Sequence, residues 1–502
     1  MPVNIASSGP HWSMKKFNAT VINDIWPETF FFTLISTMVA AVTQLTPHKL
    51  QISNALLTVL GTVLGLVISF RTSSAYERYQ EGRKLWTSVT LASRNIAQMI
   101  WIHVSVDRQS SGETDEAKIK ADRLKVIIEK RSMINLVQAF SVAVKHFLRA
   151  EPGIYYEDLY PLVSFLPRHH IHPTSEPTVH DILPIWSEHE KLSQSPRGSP
   201  TPTPSLTLTS KKHKYRNDSF DPEKALPRVN SDVPLRGARN PPKPTVYDYV
   251  PLLLIFKPIF SGPKWVYRRL FKRREDYSLD PEAISGRSLT GKKRPPPPID
   301  SNVPLEITLF LQSYLQFLLQ KPGVLQPAIA SGLVTNLFSL QDTVTSLERV
   351  RNTPIPFAYQ AHLRLSLWLY LLFLPFQIVS TMNWFTIPAT CFAAFLLLGF
   401  LEIGQEIENP FNYDENDLDM DSFCLAIQRE LHEITAHPAP DPYTYIFTGD
   451  NQPFAPIDCR SAEEIVNDVG HEYHGDHKGM DSIRRTLLRN WRQVEEVTRD
   501  GY

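Results

Sequence analysis

Long stretches without a single charge alternate along this chain with strongly polar ones. Residues 29–48 contain no Asp, Glu, Lys or Arg and include the run FFFTLISTMVAAV, and residues 50–70 are again free of charge. A bilayer core about 30 Å thick takes about 20 apolar helical residues, so each run suffices for one span. Pro47 and Lys49, in the short connection LTPHKLQ, turn the chain between them. Residues 365–401 also lack charge, which is too long for one crossing and slightly short for two with a turn. Pro375 marks a kink, while Asn383 and Pro388 place a reversal near 382–387. The expected fold is an all-α membrane protein with four transmembrane helices in two hairpins plus a helical cytosolic region. The first hairpin occupies 28–70, with spans at about 29–47 and 51–70. The second occupies 361–403, with spans at about 361–380 and 387–403.

Between the hairpins the periodicity becomes that of amphipathic helices. Leu124, Ile128, Ile134, Val137, Val144 and Phe147 mark one helix face within the cytosolic region 71–186. Leu333, Val334, Leu337, Leu340, Val344 and Leu347 mark another at near-heptad spacing within 301–360. Residues 187–300 change character: SQSPRGSPTPTPS and KKRPPPP are too polar and too rich in proline to offset chain entropy by burial, and they predict a disordered insertion. Residues 1–27 and 404–502 complete the chain as cytosolic terminal regions. Residues 1–17 lack a continuous apolar segment, so no cleavable signal peptide is expected.

Basic residues set the orientation. Lys15 and Lys16 precede the first run, Arg71, Arg78, Arg83 and Lys84 follow the second, and Arg349, Arg351 and Arg364 precede the third. Only Lys49 lies in a short loop on the other side, so both termini and the long middle are expected in the cytosol. Lys plus Arg and Asp plus Glu both number 52, and no net charge calls for a nucleic-acid partner. Three scattered cysteines, Cys391, Cys424 and Cys459, form neither a disulfide framework nor a multi-cysteine metal site.

Catalytic chemistry is largely missing. There is no GxxxxGK[ST] loop for a nucleotide. His432, Glu433 and His437 differ from HExxH by one residue, which turns the second histidine about 140° from the first on a helix. His471, Glu472, His474, Asp476 and His477 sit in a polar, glycine-containing tail that reads as a solvated loop. No catalytic residue is assigned, and the chain is not expected to be an enzyme.

The second apolar run, ISNALLTVLGTVLGLVISF, is the most informative. Gly61 and Gly65 form a GxxxG pair that lets another helix approach closely in a bilayer. About 200° around the helix lies a stripe at four-residue spacing, Ala55, Val59, Val63 and Val67. That stripe either meets lipid and neighbouring helices or lines a pore, where an apolar constriction gates ions by controlling wetting.

The string that follows, FRTSSAYERYQEGRKLW at 70–86, resembles the hallmark of the bestrophin-like family of anion channels, FR-x-x-x-x-Y-x-R-[FY]-x-EGR-x-x-W. Arg71, Tyr76, Arg78, Tyr79, Glu81, Gly82, Arg83 and Trp86 all match. TPIPFAY at 353–359 and EIGQEIENPFNYDENDL at 402–418 resemble two further family segments, in the right order around the spans. The resemblance covers roughly 28–150 and 301–425, and the overall pattern looks like a fungal member. It implies a homopentamer whose second spans line one central pore, with passive flow of chloride or other small anions. The pore neck then falls on Val59 and Val63, flanked by Ala55 and Val67, smaller side chains than the bulky neck residues common in the family. Arg71, Arg78 and Arg83 either concentrate anions at the cytosolic mouth or pair with nearby carboxylates and lipid headgroups.

No cofactor is required by this reading. Animal members are opened by calcium held in an acidic segment after the fourth span, which makes Asp414, Glu415, Asp417 and Asp419 candidate calcium ligands. Asn416, Leu418 and Met420 interrupt the acidic run, and a solvated loop or a contact between subunits is the alternative. In the insertion, Ser195, Ser199, Thr201 and Thr203 each precede proline and are candidate phosphorylation sites. Residues 292–298, from Lys292 to Pro298, fit a polyproline ligand of an SH3-type partner. The alternative function is accordingly a membrane scaffold that recruits partners through this insertion. The plasma membrane is the expected location, an organelle membrane the alternative.

Overall fold

The computed structural model describes residues 20–48, 50–52, 55–108, 116–169, 182–186, 235–241, 301–414, 416–455 and 459–467, together with 495 and 499. The expected disordered insertion, its phosphorylation candidates Ser195, Ser199, Thr201 and Thr203, the SH3-type ligand at 292–298 and the histidine-rich tail therefore lie outside the described residues, apart from 235–241.

The first charge-free run forms α1, Ile22–Leu45, and the second begins α2, Ala55–Gln98, which runs on without a break into the polar motif region. At 1.5 Å per residue its 44 residues extend about 66 Å, twice the thickness of a bilayer core. A π-helical turn, Met99–His103, ends it. Next come α3, Glu116–Leu148, the single turn α4, Tyr160–Val163, and the amphipathic pair α5, Val303–Gln320, and α6, Pro327–Asn352. Asn302 caps α5 by accepting from Leu305 N–H, with Pro304 in the first turn where no N–H is needed. The third charge-free run becomes α7, Phe357–Met382, and α8, Thr386–Glu406. Asn383 takes the left-handed conformation (φ +50°) that ends α7, and Pro388 sits in the first turn of α8, so the reversal falls at 383–385. Helix α9, Met420–Ile434, follows an irregular loop.

By length and apolarity, the stretches able to cross a membrane are Asp24–Leu45, Val59–His103 and Pro327–Glu406, the last including both α7 and α8. Helix α1 packs chiefly on α8 and α7, and α2 on α6, α8 and α7, so α1 and α2 barely meet although they adjoin in sequence. Phe32, Leu64, Ile68, Leu367, Leu371 and Leu398 are central to their shared core. Ser36 donates to Thr386 O at 3.1 Å inside that core, a buried polar contact satisfied between helices.

In the polar region, α3 is buried almost all round from Ile134 to Leu148, whereas Leu124 and Ile128 on its first half are exposed. Among the described residues the apolar face read from the sequence is therefore only partly covered. On α6 the heptad positions Leu333, Leu337, Leu340, Val344 and Leu347 are all buried. Residues 433–502 form a separate unit. Within it, Asp441 caps α10, Pro442–Ile446, and a reciprocal Ser461–Glu464 capping box starts α11, Ala462–Asn467.

Candidate pore helix and its polar junction

Helix α2 meets the rest of the chain through one narrow stripe in its apolar half. Leu64 and Ile68 are buried in the core, while Val59 and Val63 stand 61% and 54% exposed. Rotation of 100° per residue sets Val59 and Val63 about 100–180° around the helix from Leu64 and Ile68. Val67 is partly buried against the core, so the four-residue stripe runs from open surface into packing. Ala55 lies in the helix, but its side chain is outside the described residues. The two glycines differ as well. A Cβ built on Gly61 would lie 3.0 Å from the Tyr370 hydroxyl of α7, so the close approach is real there; Gly65 has nothing within 4 Å.

One turn further on, the three motif segments converge. Arg71 is 3% exposed; it donates to Leu401 O at 2.8 Å and faces Glu408 at 3.8 Å. Arg78 donates to Glu408 O at 3.1 Å and also to the carbonyls of Val350 and Thr353 at the end of α6. The Glu408 carboxylate accepts from Ile355 N–H at 2.7 Å and from Gln360 at 2.8 Å, which ties in the TPIPFAY segment. Gly82 is needed for contact: a Cβ there would lie 3.1 Å from the Phe411 ring. Trp86 is buried beside Phe423 at 5.8 Å, and the Arg83 guanidinium lies 4.3 Å over the same ring. Glu81 pairs with Arg349 at 3.0 Å, and Tyr76 stacks on Tyr79.

Sequence comparison agrees with this convergence. The profile of the Bacterial/Fungal Bestrophin protein family matches residues 6–196 and 281–433. The chain belongs to the bestrophin family. It is 26% identical over 432 residues to a voltage-dependent anion channel-forming protein of Nostoc sp., covering 85% of this chain and 92% of that one. A protein of the same description from Synechocystis sp. is 26% identical over 388 residues, or 77% and 78% of the two chains. A crystal structure of a bacterial bestrophin homolog from Klebsiella pneumoniae superposes with a TM-score of 0.43 at 18% identity, covering 82% of this chain and 98% of that one.

In this bestrophin, Arg71 and Arg78 are engaged in holding α2 to the ends of α6 and α8. The fold and family make it a membrane protein. Glu408 and Phe411 are the junction residues that the sequence reading did not single out; the signal was their place in the ENPF run that follows α8. The acidic loop after them carries short contacts within itself and one to α8. Asp417 accepts from Asp414 N–H at 2.9 Å, Asp419 caps Ser422 N–H at 3.1 Å, and Asn416 donates to Glu406 at 2.9 Å. Burial, then the neighbouring Asp414, pushes the Asp417 carboxyl up to about 7. Glu415 lies outside the described residues. Among the described residues no three His, Cys, Asp or Glu side chains are grouped to hold a metal ion.

Proposed function

We propose that this chain is a passive anion channel, formed by five copies in a ring with α2 of each facing a central pore. The observation that carries this reading is the match, over most of both chains, to relatives named as anion channel-forming proteins. The open apolar half of α2 supports the pore assignment. Val59 and Val63 occupy a surface that the chain's own helices leave uncovered, with Ala55 above and Val67 below them on the same stripe.

Such a pore transfers no proton and forms no bond to the ion. It needs a dry or barely wetted neck that opens as side chains withdraw, and weak sites that release the ion again. A ring of valines gives a short apolar constriction of this kind. The junction sets how each α2 stands around the ring, because Arg71, Arg78, Gly82 and Trp86 fix its polar half against α6, α8, the loop after α8 and α9. Basic residues flanking the spans support a cytosolic side for the termini and the α3–α6 region, and the plasma membrane is the proposed location.

Chloride efflux from liposomes holding the purified protein tests the reading. Wild-type protein should release chloride well above empty vesicles; Val63→Phe should cut that flux several-fold and Val63→Ala should raise it. Flux no greater than from empty vesicles would defeat the channel reading, and flux indifferent to both substitutions would remove α2 from the pore.

A further inference from the structure

Residues 235–241, a short piece of the Pro/Ser-rich insertion, lie in extended form against helices far from them in sequence. Two backbone hydrogen bonds fix the register. Arg236 N–H donates to Tyr155 O at 2.8 Å, and Glu157 N–H donates to Arg236 O at 2.9 Å. Ala238 is buried, and Lys145 Nζ donates to its carbonyl at 3.3 Å. Arg239 Nε lies 3.2 Å from Asp421 Oδ2, Asn240 N–H donates to the Tyr413 hydroxyl at 2.9 Å, and Arg236 donates to the Tyr156 hydroxyl at 3.1 Å.

The floor beneath this segment is built from buried charge. The Lys145 side chain is 2% exposed and sits between Asp158 at 2.5 Å and Asp421 at 2.9 Å. Arg149, equally buried, pairs with Asp421 at 3.0 Å and lies 4.0 Å over the Tyr413 ring. His146 is held between Glu151 and Asp158 and stacks on Tyr156 at 3.9 Å. An ammonium group has three protons to place. Two of those on Lys145 meet carboxylates, and the Ala238 carbonyl meets the third. The loop at 155–157 gives Arg236 a backbone donor, Glu157 N–H, and a backbone acceptor, Tyr155 O, as a sheet edge does when it recruits an extended peptide. Asp421 supplies a carboxylate for one arginine, and the place of Ala238 admits a small side chain. These are the parts of a peptide-recognition cleft. Its two walls are the loop after α3 and the loop after α8.

We propose that residues 235–241 are a tethered peptide ligand of the chain's own helical unit, recognised by Lys145, Tyr155, Glu157, Tyr413 and Asp421, and that its docking holds the acidic loop 411–421 in place. The insertion then acts on the loop that follows the last membrane helix through a reversible contact. This inference does not depend on what the pore conducts, because both of its readouts are binding and exchange.

The test uses the full-length protein in detergent, with 235–241 replaced by Gly and Ser at equal length, and a fluorescent synthetic peptide spanning residues 233–243. Amide exchange in 411–421 should quicken at least tenfold on replacement and slow again when peptide is added. Labelled peptide should bind the replaced protein and not the intact one, whose cleft is filled; a peptide carrying Arg239→Glu should bind at least tenfold more weakly. Unchanged exchange in 411–421 after replacement, or equal binding of the two peptides, overturns the proposal. Should the replaced chain fail to fold, Arg239→Glu in the intact chain gives the same reading: faster exchange in 411–421 with α1 and α8 unaffected supports docking, and no change in the loop refutes it.

Discussion

Within α2, Val59 and Val63 stand clear of the packed helices, whereas Arg71, Gly82 and Trp86, further along the same helix, are buried against α8, Phe411 and Phe423. One continuous helix thus carries two kinds of position. In the apolar half the chain itself asks little of each exposed side chain, so a substitution there changes what that surface meets and little else. In the junction half Arg71, Arg78, Glu81, Gly82, Arg83 and Trp86 each have a partner from a distant segment, and a substitution there disturbs more than one segment. The residues through which the bestrophin resemblance is recognised are for the most part those that hold the helix. Those proposed to set conduction are the exposed ones.

This contrast can be broken. Glu408→Ala should have the largest effect: it leaves Arg71 buried without its counter-charge and removes the acceptor of Ile355 N–H and Gln360. Breaking a buried pair costs about 3–5 kcal/mol, so the melting transition in detergent should fall steeply. Gly82→Val should cost about 1–3 kcal/mol by forcing Phe411 out of its place, again read as a lower melting temperature. A junction that tolerates both changes would mean that it does not hold α2.

The acidic loop predicts a smaller, pH-dependent effect. The Asp417 carboxyl is raised from 3.8 to about 7, so between those values the folded loop binds more protons than the unfolded chain. Stability of the loop therefore falls as pH rises from about 4 to about 7 and levels off above that. Protection factors in 411–421, taken relative to intrinsic exchange at each pH, should be lower at pH 8 than at pH 5, and Asp417→Asn should flatten the difference. A loop whose protection is equal or greater at the higher pH would contradict the assignment. The smallest stability effect belongs to Val63→Ala, expected within about 0.5 kcal/mol of wild type as for other exposed positions. Leu64→Ala, one residue on and buried, should lower the melting temperature clearly. Equal losses from the two would erase the distinction between the open and packed sides of α2.

Much of this was legible in the order of residues alone. Charge-free runs of bilayer length announce membrane helices because lipid offers charge no solvation, and that rule needs no tertiary contact. Asn383 and Pro388 located the turn between α7 and α8 through local backbone preference. The string at 70–86, with its two companion segments, pointed to the family. Periodicity also drew the stripe on α2, but periodicity cannot say which sides of a helix are covered. That Val59 and Val63 are open, that Val67 turns into the core and that Gly61 is tight while Gly65 is free depends on where α7 and α8 stand. The partners of Arg71 and Arg78 lie some 270 to 330 residues away, a distance at which no local pattern pairs one charge with another. The same holds for 235–241, whose composition reads as linker and whose docking rests on a cleft assembled from three separate stretches of chain. Sequence by itself determined which segments are long and apolar enough to cross a membrane and which family the chain belongs to, since both follow from local composition and order. Tertiary structure alone decided which side chains are held and which stand open, because burial and charge pairing belong to segments brought together only by folding.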